Sequence, residues 1–332
     1  MSKNTKVLIV DDNLLNLEIV KGILEEEYSL EFAKTGTEAI EKLKVFKPDI
    51  VLQDIMLPDI DGFDVLAFIK NTPFLKNTKV IMVSALMGVE MRLKGYEMGA
   101  HDYIVKPFED DELKAKIDIF SELVHSHEIK EAFNYTIEAL SRAAEACDEE
   151  TGNHIVRVNE YSYTLAKDSG QDEDFCNEIR CFAQMHDVGK IHVPMSILNK
   201  KGSLSKEEFV EIKGHPIYGA KIIGESEQLR MAKEIALYHH EKWDGSGYPS
   251  GISGKEIPLS GRIVAITDVY DALRSERSYK PAFDHKKTMT IFKDGDDRLD
   301  PEKHFDPELL SSFLSNNEKY ESIFESLEGE GV

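Results

Sequence analysis

The chain has 332 residues, 41% apolar and 31% charged, a composition that excludes a disordered chain and leaves room for two ordinary domains. A formal net charge of −22 excludes a general basic surface for DNA or anionic membrane, so an anionic substrate must be met by local metals, Lys and Arg. Three cysteines (Cys147, Cys176, Cys181) lack zinc-ligand spacing and read as reduced thiols, and no apolar run nears the roughly 18 residues that span a bilayer. With no leader pattern at the N-terminus, these features predict a cytoplasmic protein without membrane insertion.

Lys6–Val10, Leu30–Ala33, Ile50–Asp54, Val80–Ser84 and Tyr103–Val105 are short strand-like runs. Helical patterns lie near 13–26, 36–46, 62–71 and 89–98, and another begins near Glu109. Five such units with near-continuous apolar strands predict a five-stranded parallel sheet covered by helices on both faces. In such sheets reactive residues gather at the carboxyl ends of the strands. From Phe108 to Thr151 there is neither Gly nor Pro. Leu113, Ile117, Phe120 and Val124 keep a helical phase, as do Phe133, Ile137, Leu140, Ala144 and Cys147, and the phase slips between the two runs. The segment reads either as one signalling helix, which would also allow a homodimer, or as two helices meeting near His127. Beyond Gly152 the pattern is helical to the end, with Asp306 and Pro307 placed as N-cap and first residue of a helix.

Asp11 and Asp12 close the first strand, Asp54 the third and Ser84 the fourth, and Lys106 follows the fifth. On a parallel sheet these residues converge on one rim, where the carboxylates can hold Mg²⁺ and one of them can attack a phosphoryl group. The motifs VDD at 10–12, DIMLPDIDG at 54–62, VSA at 83–85 and VKPF at 105–108 resemble the receiver domain of bacterial response regulators over residues 5–125. The resemblance implies a flavodoxin-like (βα)5 fold with Asp54 as phospho-acceptor from a cognate sensor histidine kinase. It also implies Mg²⁺ on Asp11, Asp12 and Asp54, with Ser84 and Lys106 reading the phosphoryl group. Tyr103 falls at the aromatic switch, and the Lys106–Pro107 bond is expected cis.

The second half carries histidines in chemically suggestive contexts. Glu150 and His154 are four apart, adjacent His186 and Asp187 end an apolar helix pattern, and His215 precedes Pro216. His239 and His240 end another helix, and Asp268 lies among Val264, Ala265, Ile266 and Val269, where an unpartnered carboxylate would be costly. His215 alone reads as an ordinary loop histidine. Imidazoles with carboxylates suit Fe, Mn, Zn or Ni, and eight candidate ligands suit two or three ions.

This order of residues resembles the HD superfamily of metal-dependent phosphohydrolases. WDGSGYPSG at 243–251, with HDVGKI at 186–191, DVYDALRSERSYK at 268–280 and FDP at 305–307, is similar to the HD-GYP cyclic di-GMP phosphodiesterases over residues 135–315. Met195, where that family usually has an aspartate, and Ser278, often proline, depart from its pattern. The resemblance implies an all-α domain whose eight residues bind two or three divalent transition metals, Fe or Mn first. It implies hydrolysis of cyclic di-GMP to pGpG and/or GMP. Lys190, Arg277 and Lys280 are placed to bind phosphate, Gly247, Tyr248 and Pro249 to line the substrate mouth, and Asp271 to assist proton transfer beside Asp187. Trp243 and Tyr248 are candidates to stack on a guanine. Two alternatives are a phosphodiesterase for another cyclic dinucleotide, such as cyclic GMP-AMP, and a non-catalytic scaffold that binds nucleotide or diguanylate cyclases. The expected organisation is a receiver over 1–125, a helical linker over 108–151 continuous with the last receiver helix, and the HD-GYP domain over 135–332.

Overall fold

The computed structural model describes residues 5–85, 89–145, 153–200, 202–275 and 282–328. The chain divides into two compact units, Met1–Ala132 and Phe133–Val332.

In the first unit five strand–helix pairs follow one another: β1 (Lys6–Val10), α1 (Leu14–Leu24), β2 (Ser29–Ala33), α2 (Gly36–Phe46), β3 (Ile50–Asp54), α3 (Gly62–Asn71), β4 (Lys79–Ser84), α4 (Val89–Glu97), β5 (Asp102–Val105) and α5 (Asp110–Glu145). The strands are all parallel, in the order β2-β1-β3-β4-β5. The period-two geometry of a strand sends Leu8 and Val10 to one face, with Leu43, Leu66 and Ile69 of α2 and α3. It sends Val7 and Ile9 to the other, with Leu17 and Val20 of α1 and Leu113 and Ile117 of α5. Local chemistry sets the helix starts: the Thr35 and Asp61 side chains accept the N–H groups of Glu38 and Phe63. Val10 pairs with Gln53, so Asp11 and Asp54 emerge together between β1 and β3, where the strand order reverses.

Helix α5 runs without interruption for 36 residues, about 54 Å at the α-helical rise. It passes straight through His127, so the reading with two helices does not hold; residues 146–151 of the expected linker lie outside the described residues. Its first turn carries Asp110, Asp111 and Glu112, which complement the positive helix end.

The second unit contains α6 (Asn153–Asp168), α7 (Glu173–Phe182), α8 (Met195–Leu198), α9 (Lys206–Ile212), α10 (His215–Ile223), α11 (Arg230–Tyr238), α12 (Leu259–Arg274), α13 (His285–Asp294), α14 (Pro301–His304), α15 (Pro307–Ser315) and α16 (Asn317–Glu328), and no strand among the described residues. Tyr161, Leu165, Ile179, Ile235, Ile266 and Phe313 form the centre of its core. Asp306 caps α15, accepting the N–H groups of Glu308 and Leu309 with Pro307 at the first position. Among the described residues no helix is long and apolar enough to cross a membrane.

Candidate metal centre and phospho-acceptor site

On the carboxyl rim of the sheet, Asp11, Asp12 and Asp54 offer oxygens within 4.8 Å of one another. Lys106 Nζ lies 2.6 Å from Asp11 Oδ2 and 2.5 Å from Asp54 Oδ2. Asp11 also accepts the Asn13 N–H at 2.9 Å, and Asp54 accepts the Met56 N–H at 3.1 Å. Burial raises the Asp54 pKa against the pull of Lys106. Burial works to lower that of Lys106, but its bonds to the two carboxylates prevail and the net shift is upward. Three carboxylates facing one ammonium form an oxygen-rich set suited to a hard divalent cation. Ser84 is buried at the end of β4. The Tyr103 ring is turned inward, edge-on to Tyr96 at 4.9 Å, and its hydroxyl has no hydrogen-bond partner among the described residues. The Lys106–Pro107 bond is cis.

In the second unit five segments converge. His154 lies in the first turn of α6, His215 opens α10, His239 and His240 follow α11, and Asp268 sits on α12. His186 and Asp187 differ from expectation, because α7 stops at Phe182 and both residues fall between the 3-10 turns Ala183–Met185 and Val188–His192. Gly189 makes that turn compatible with its neighbour. A Cβ there would lie 1.9 Å from the His215 carbonyl oxygen and 2.4 Å from the Gly219 nitrogen, so a side chain would push the HDVGK turn off α10.

The ligand atoms form two groups, Asp187 with His215, His239 and His240, and His154 with His186 and Asp268. Asp187 reaches both, with Oδ1 3.1 Å from His215 Nε2 and Oδ2 3.3 Å from His186 Nε2. Three of the outer imidazole nitrogens are tied to backbone carbonyls. His186 Nδ1 is 2.8 Å from the Ala183 carbonyl, His215 Nδ1 2.7 Å from that of Ile212, and His239 Nδ1 3.0 Å from that of Ile235. Those bonds assign the Nδ1–H tautomers and leave Nε2 lone pairs facing inward. The Nε2 atoms of His215 and His239 are 3.3 Å apart, and those of His154 and His186 3.5 Å. Asp187 Oδ1 is buried and accepts no hydrogen bond. Converging lone pairs and an orphaned carboxylate oxygen fit divalent transition metals of mixed nitrogen and oxygen preference.

The electrostatics agree. Burial works to lower the His186 pKa, yet Asp187 and Asp268 push it up to about 10, so the site draws positive charge and a proton on Nε2 would have to leave for a metal to bind there. Burial, reinforced by His215, pushes His240 down to about 3 and keeps it neutral, as a ligand must be. The Asp187 carboxyl is held well below its usual range, against burial, chiefly by Lys190 and His186; Lys190 Nζ is 2.7 Å from Asp187 Oδ2.

Asp271 does not occupy the place expected of a proton-transfer group. It is fully buried behind the cluster, where Oδ2 is 2.7 Å from His154 Nδ1. Arg157 donates to both its oxygens, Nε at 2.6 Å and Nη2 at 2.8 Å. Burial opposes ionisation, but these donors hold the Asp271 pKa at about 2. A carboxylate so engaged orients His154 and has no proton to give. Glu150, Arg277 and Lys280 lie outside the described residues.

The loop after His240 is built by Glu241, a buried carboxylate that accepts the N–H groups of Ser250 at 2.7 Å and Gly251 at 3.1 Å. A Cβ on Gly247 would sit 2.4 Å from the Lys242 nitrogen, so glycine alone lets the loop fold back on the helix end. Tyr248, joined to Pro249 by a cis bond, then packs its ring 4.7 Å from that of His240. Trp243 instead lies under the Arg262 guanidinium and is not among the residues lining the adjacent cavity. That cavity, about 620 Å³, is lined by Asp187, Lys190, His215, His240, Tyr248 and Asp268, with Asp296, Arg298 and a set of apolar side chains completing it. Nothing local in the sequence marks Arg157, whose partner Asp271 is 114 residues away, or Glu241, whose partners are two backbone N–H groups of the following loop.

Comparison with known proteins bears on both units. The response regulator receiver domain family matches residues 7–118, and the HD domain family matches residues 121–303. A Vibrio cholerae protein named "Probable cyclic di-GMP phosphodiesterase" is 34% identical, the alignment covering 96% of this chain and 79% of that one. A Thermotoga maritima cyclic di-GMP phosphodiesterase is 33% identical over 96% of this chain and 92% of its own. A Vibrio cholerae 3′3′-cGAMP-specific phosphodiesterase 2 is 39% identical over 60% of this chain and 38% of its own. With a receiver sheet, a joining helix and a helical His/Asp metal centre in that order, the chain belongs to the family of response regulators that carry an HD-type phosphodiesterase domain.

Proposed function

We propose that this response regulator hydrolyses cyclic di-GMP to the linear dinucleotide pGpG, and onward to GMP, under control of phosphorylation at Asp54. The observation that carries the reading is Asp187, whose two oxygens reach two separate ligand groups beside a cavity that also holds Lys190. In this reading His154, His186 and Asp268 hold one divalent transition metal, and Asp187, His215, His239 and His240 a second; Fe or Mn is put first by the family resemblance, the donor set suiting Zn or Ni as well. Glu150 would serve a third ion. When bound, such metals polarise a phosphodiester and lower the pKa of water. Lys190 binds a phosphate oxygen, Arg277 and Lys280 add cationic contacts, and Gly247, Tyr248 and Pro249 hold the mouth of the site open.

The receiver is assigned to residues 1–125 and the output domain to 135–332, linked through 108–151. A cognate sensor histidine kinase supplies the phosphoryl group to Asp54, Mg²⁺ sits on Asp11, Asp12 and Asp54, and Ser84, Lys106 and Tyr103 respond to it. The protein works in the cytoplasm as a homodimer, with diguanylate cyclases as candidate partners of the loop at 243–251. A cyclic GMP-AMP substrate is the second reading, prompted by the cGAMP-specific relative.

The test is turnover by anaerobically purified, metal-analysed protein, with cyclic di-GMP and cyclic GMP-AMP in competition. Asp187→Ala should lose both metal and turnover. Metal-loaded protein that leaves cyclic di-GMP intact, phosphorylated or not, would overturn the reading, and a scaffold role would show as an unchanged Asp187→Ala phenotype.

A further inference from the structure

The cavity beside the metal centre has a second wall that the reading above does not use. Val269, Ala272 and Leu273 of α12, with Phe283 and Leu299, give it an apolar lining, and Arg298 joins them with Asp296. The Arg298 backbone is held by a tight turn. Asp296 Oδ1 accepts the N–H groups of both Arg298 and Leu299 at 2.8 Å, and the Asp296 N–H donates to the Leu299 carbonyl at 2.9 Å. Helix α14, which follows that turn directly, is tethered to the loop carrying Tyr248, because Trp243 N–H donates to the His304 carbonyl at 3.0 Å and Asp244 N–H to that of Lys303 at 2.9 Å. The backbone of Arg298 is therefore fixed at the cavity in advance, while its guanidinium pairs with no carboxylate among the described residues.

A planar five-donor fork beside an apolar wall is suited to the edge of a flat heterocycle that presents two adjacent acceptors. Guanine does so with O6 and N7, whereas adenine offers N7 beside an N6 amino donor that repels the same fork. Phosphate is the competing target for an arginine, but it would not call for the apolar lining, and Lys190 already stands at the metal side of the cavity.

We propose that Arg298 is a specificity-determining residue that reads the O6/N7 edge of one guanine of the substrate, with Phe283 and Leu299 against the base. The inference rests on the reading of the substrate as a guanine-bearing cyclic dinucleotide.

The experiment compares wild type, Arg298→Ala and Arg298→Lys, all metal-loaded, on cyclic di-GMP, cyclic di-AMP and the base-free diester bis(p-nitrophenyl) phosphate, with calorimetric Kd values for pGpG and pApA. Arg298→Ala should lower the ratio of kcat/KM on cyclic di-GMP to that on the base-free diester at least ~10-fold, through KM, and weaken pGpG more than pApA. Arg298→Lys, which keeps the charge without the fork, should lose most of the same selectivity. Equal falls on all three diesters, or lysine restoring full guanine preference, would overturn the inference, since the residue would then act through charge or structure alone. Failure of the underlying reading looks different: wild type itself would cleave the base-free diester and neither bind nor turn over a guanine dinucleotide, and both proposals would fall.

Discussion

The salt bridge behind His154 offers the sharpest test of how this centre is held together. Asp271 is fully buried, with two charge-assisted bonds from Arg157, one contact from His154 and Ser275 Oγ at 3.2 Å. Arg157→Met keeps the aliphatic stem but leaves that carboxylate without its countercharge, a change that costs roughly 3–5 kcal/mol in buried pairs. For a unit of about 200 residues each kcal/mol moves the midpoint by roughly 2–4 °C, so a fall of about 10 °C is expected in the second unit's thermal transition. Asp271→Asn preserves volume and an acceptor for His154 Nδ1 while removing the charge. It should weaken metal binding at the His154–His186–Asp268 group about 10- to 100-fold. The double substitution leaves no unpaired carboxylate, so it should be at least ~1 kcal/mol more stable than Arg157→Met alone. Calorimetric melts of the four proteins, with metal content by mass spectrometry, provide the measurement. Strict additivity of the two losses, or wild-type metal affinity in Asp271→Asn, would refute the assignment of Asp271 as an orienting carboxylate.

Glu241→Gln replaces one of the two oxygens that hold Ser250 and Gly251, and should cut kcat/KM on a dinucleotide about 10-fold while shifting the melt only slightly; comparison of kinetics with melting temperature separates loop order from folding. His101 in the receiver accepts the Val80 N–H and has its pKa pushed down to about 4, first by burial and then by Lys70 and Lys79. Because the folded value is depressed, its contribution is complete above the unfolded value near 6.5 and is lost as pH falls from there toward 4. A loss on the order of 2 kcal/mol is expected after allowing for partial exposure, and His101→Gln should flatten the pH dependence of receiver melting over that window. Chelation should lower the second unit's transition more than the first's, by roughly 4 kcal/mol where free metal had stood at a thousand times its Kd.

The receiver was legible almost to the residue, because β-branched runs, turn residues and strand-end aspartates all repeat with the sheet. The metal cluster was legible as a set: His215 reads as an ordinary loop histidine until α10 brings it 3.1 Å from Asp187. What stayed hidden were groups whose meaning depends on a distant partner. Arg157 and Asp271 are 114 residues apart, and Asp271, one turn beyond Asp268, looked like a helper at the reacting centre. Glu241 carries no mark of its role in the sequence, because the N–H groups it accepts from, those of Ser250 and Gly251, have no side-chain signature. The turn holding His186 and Asp187 reads as a helix end in the sequence because the apolar pattern continues through Ala183 and Met185 into the 3-10 segment.

Helix α5 supplies hydrophobic residues to two cores, Leu113 and Ile117 to one and Ile137 to the other. An α-helix has a fixed angular pitch of about 100° per residue. Each residue inserted into the exposed stretch from Ser126 to Phe133 turns the far end by about 100°, and seven residues bring it nearly back. Coupling between phosphorylation and hydrolysis should therefore vary periodically with insert length, failing at two and recovering near seven, as it would in a geared shaft and not in a slack tether.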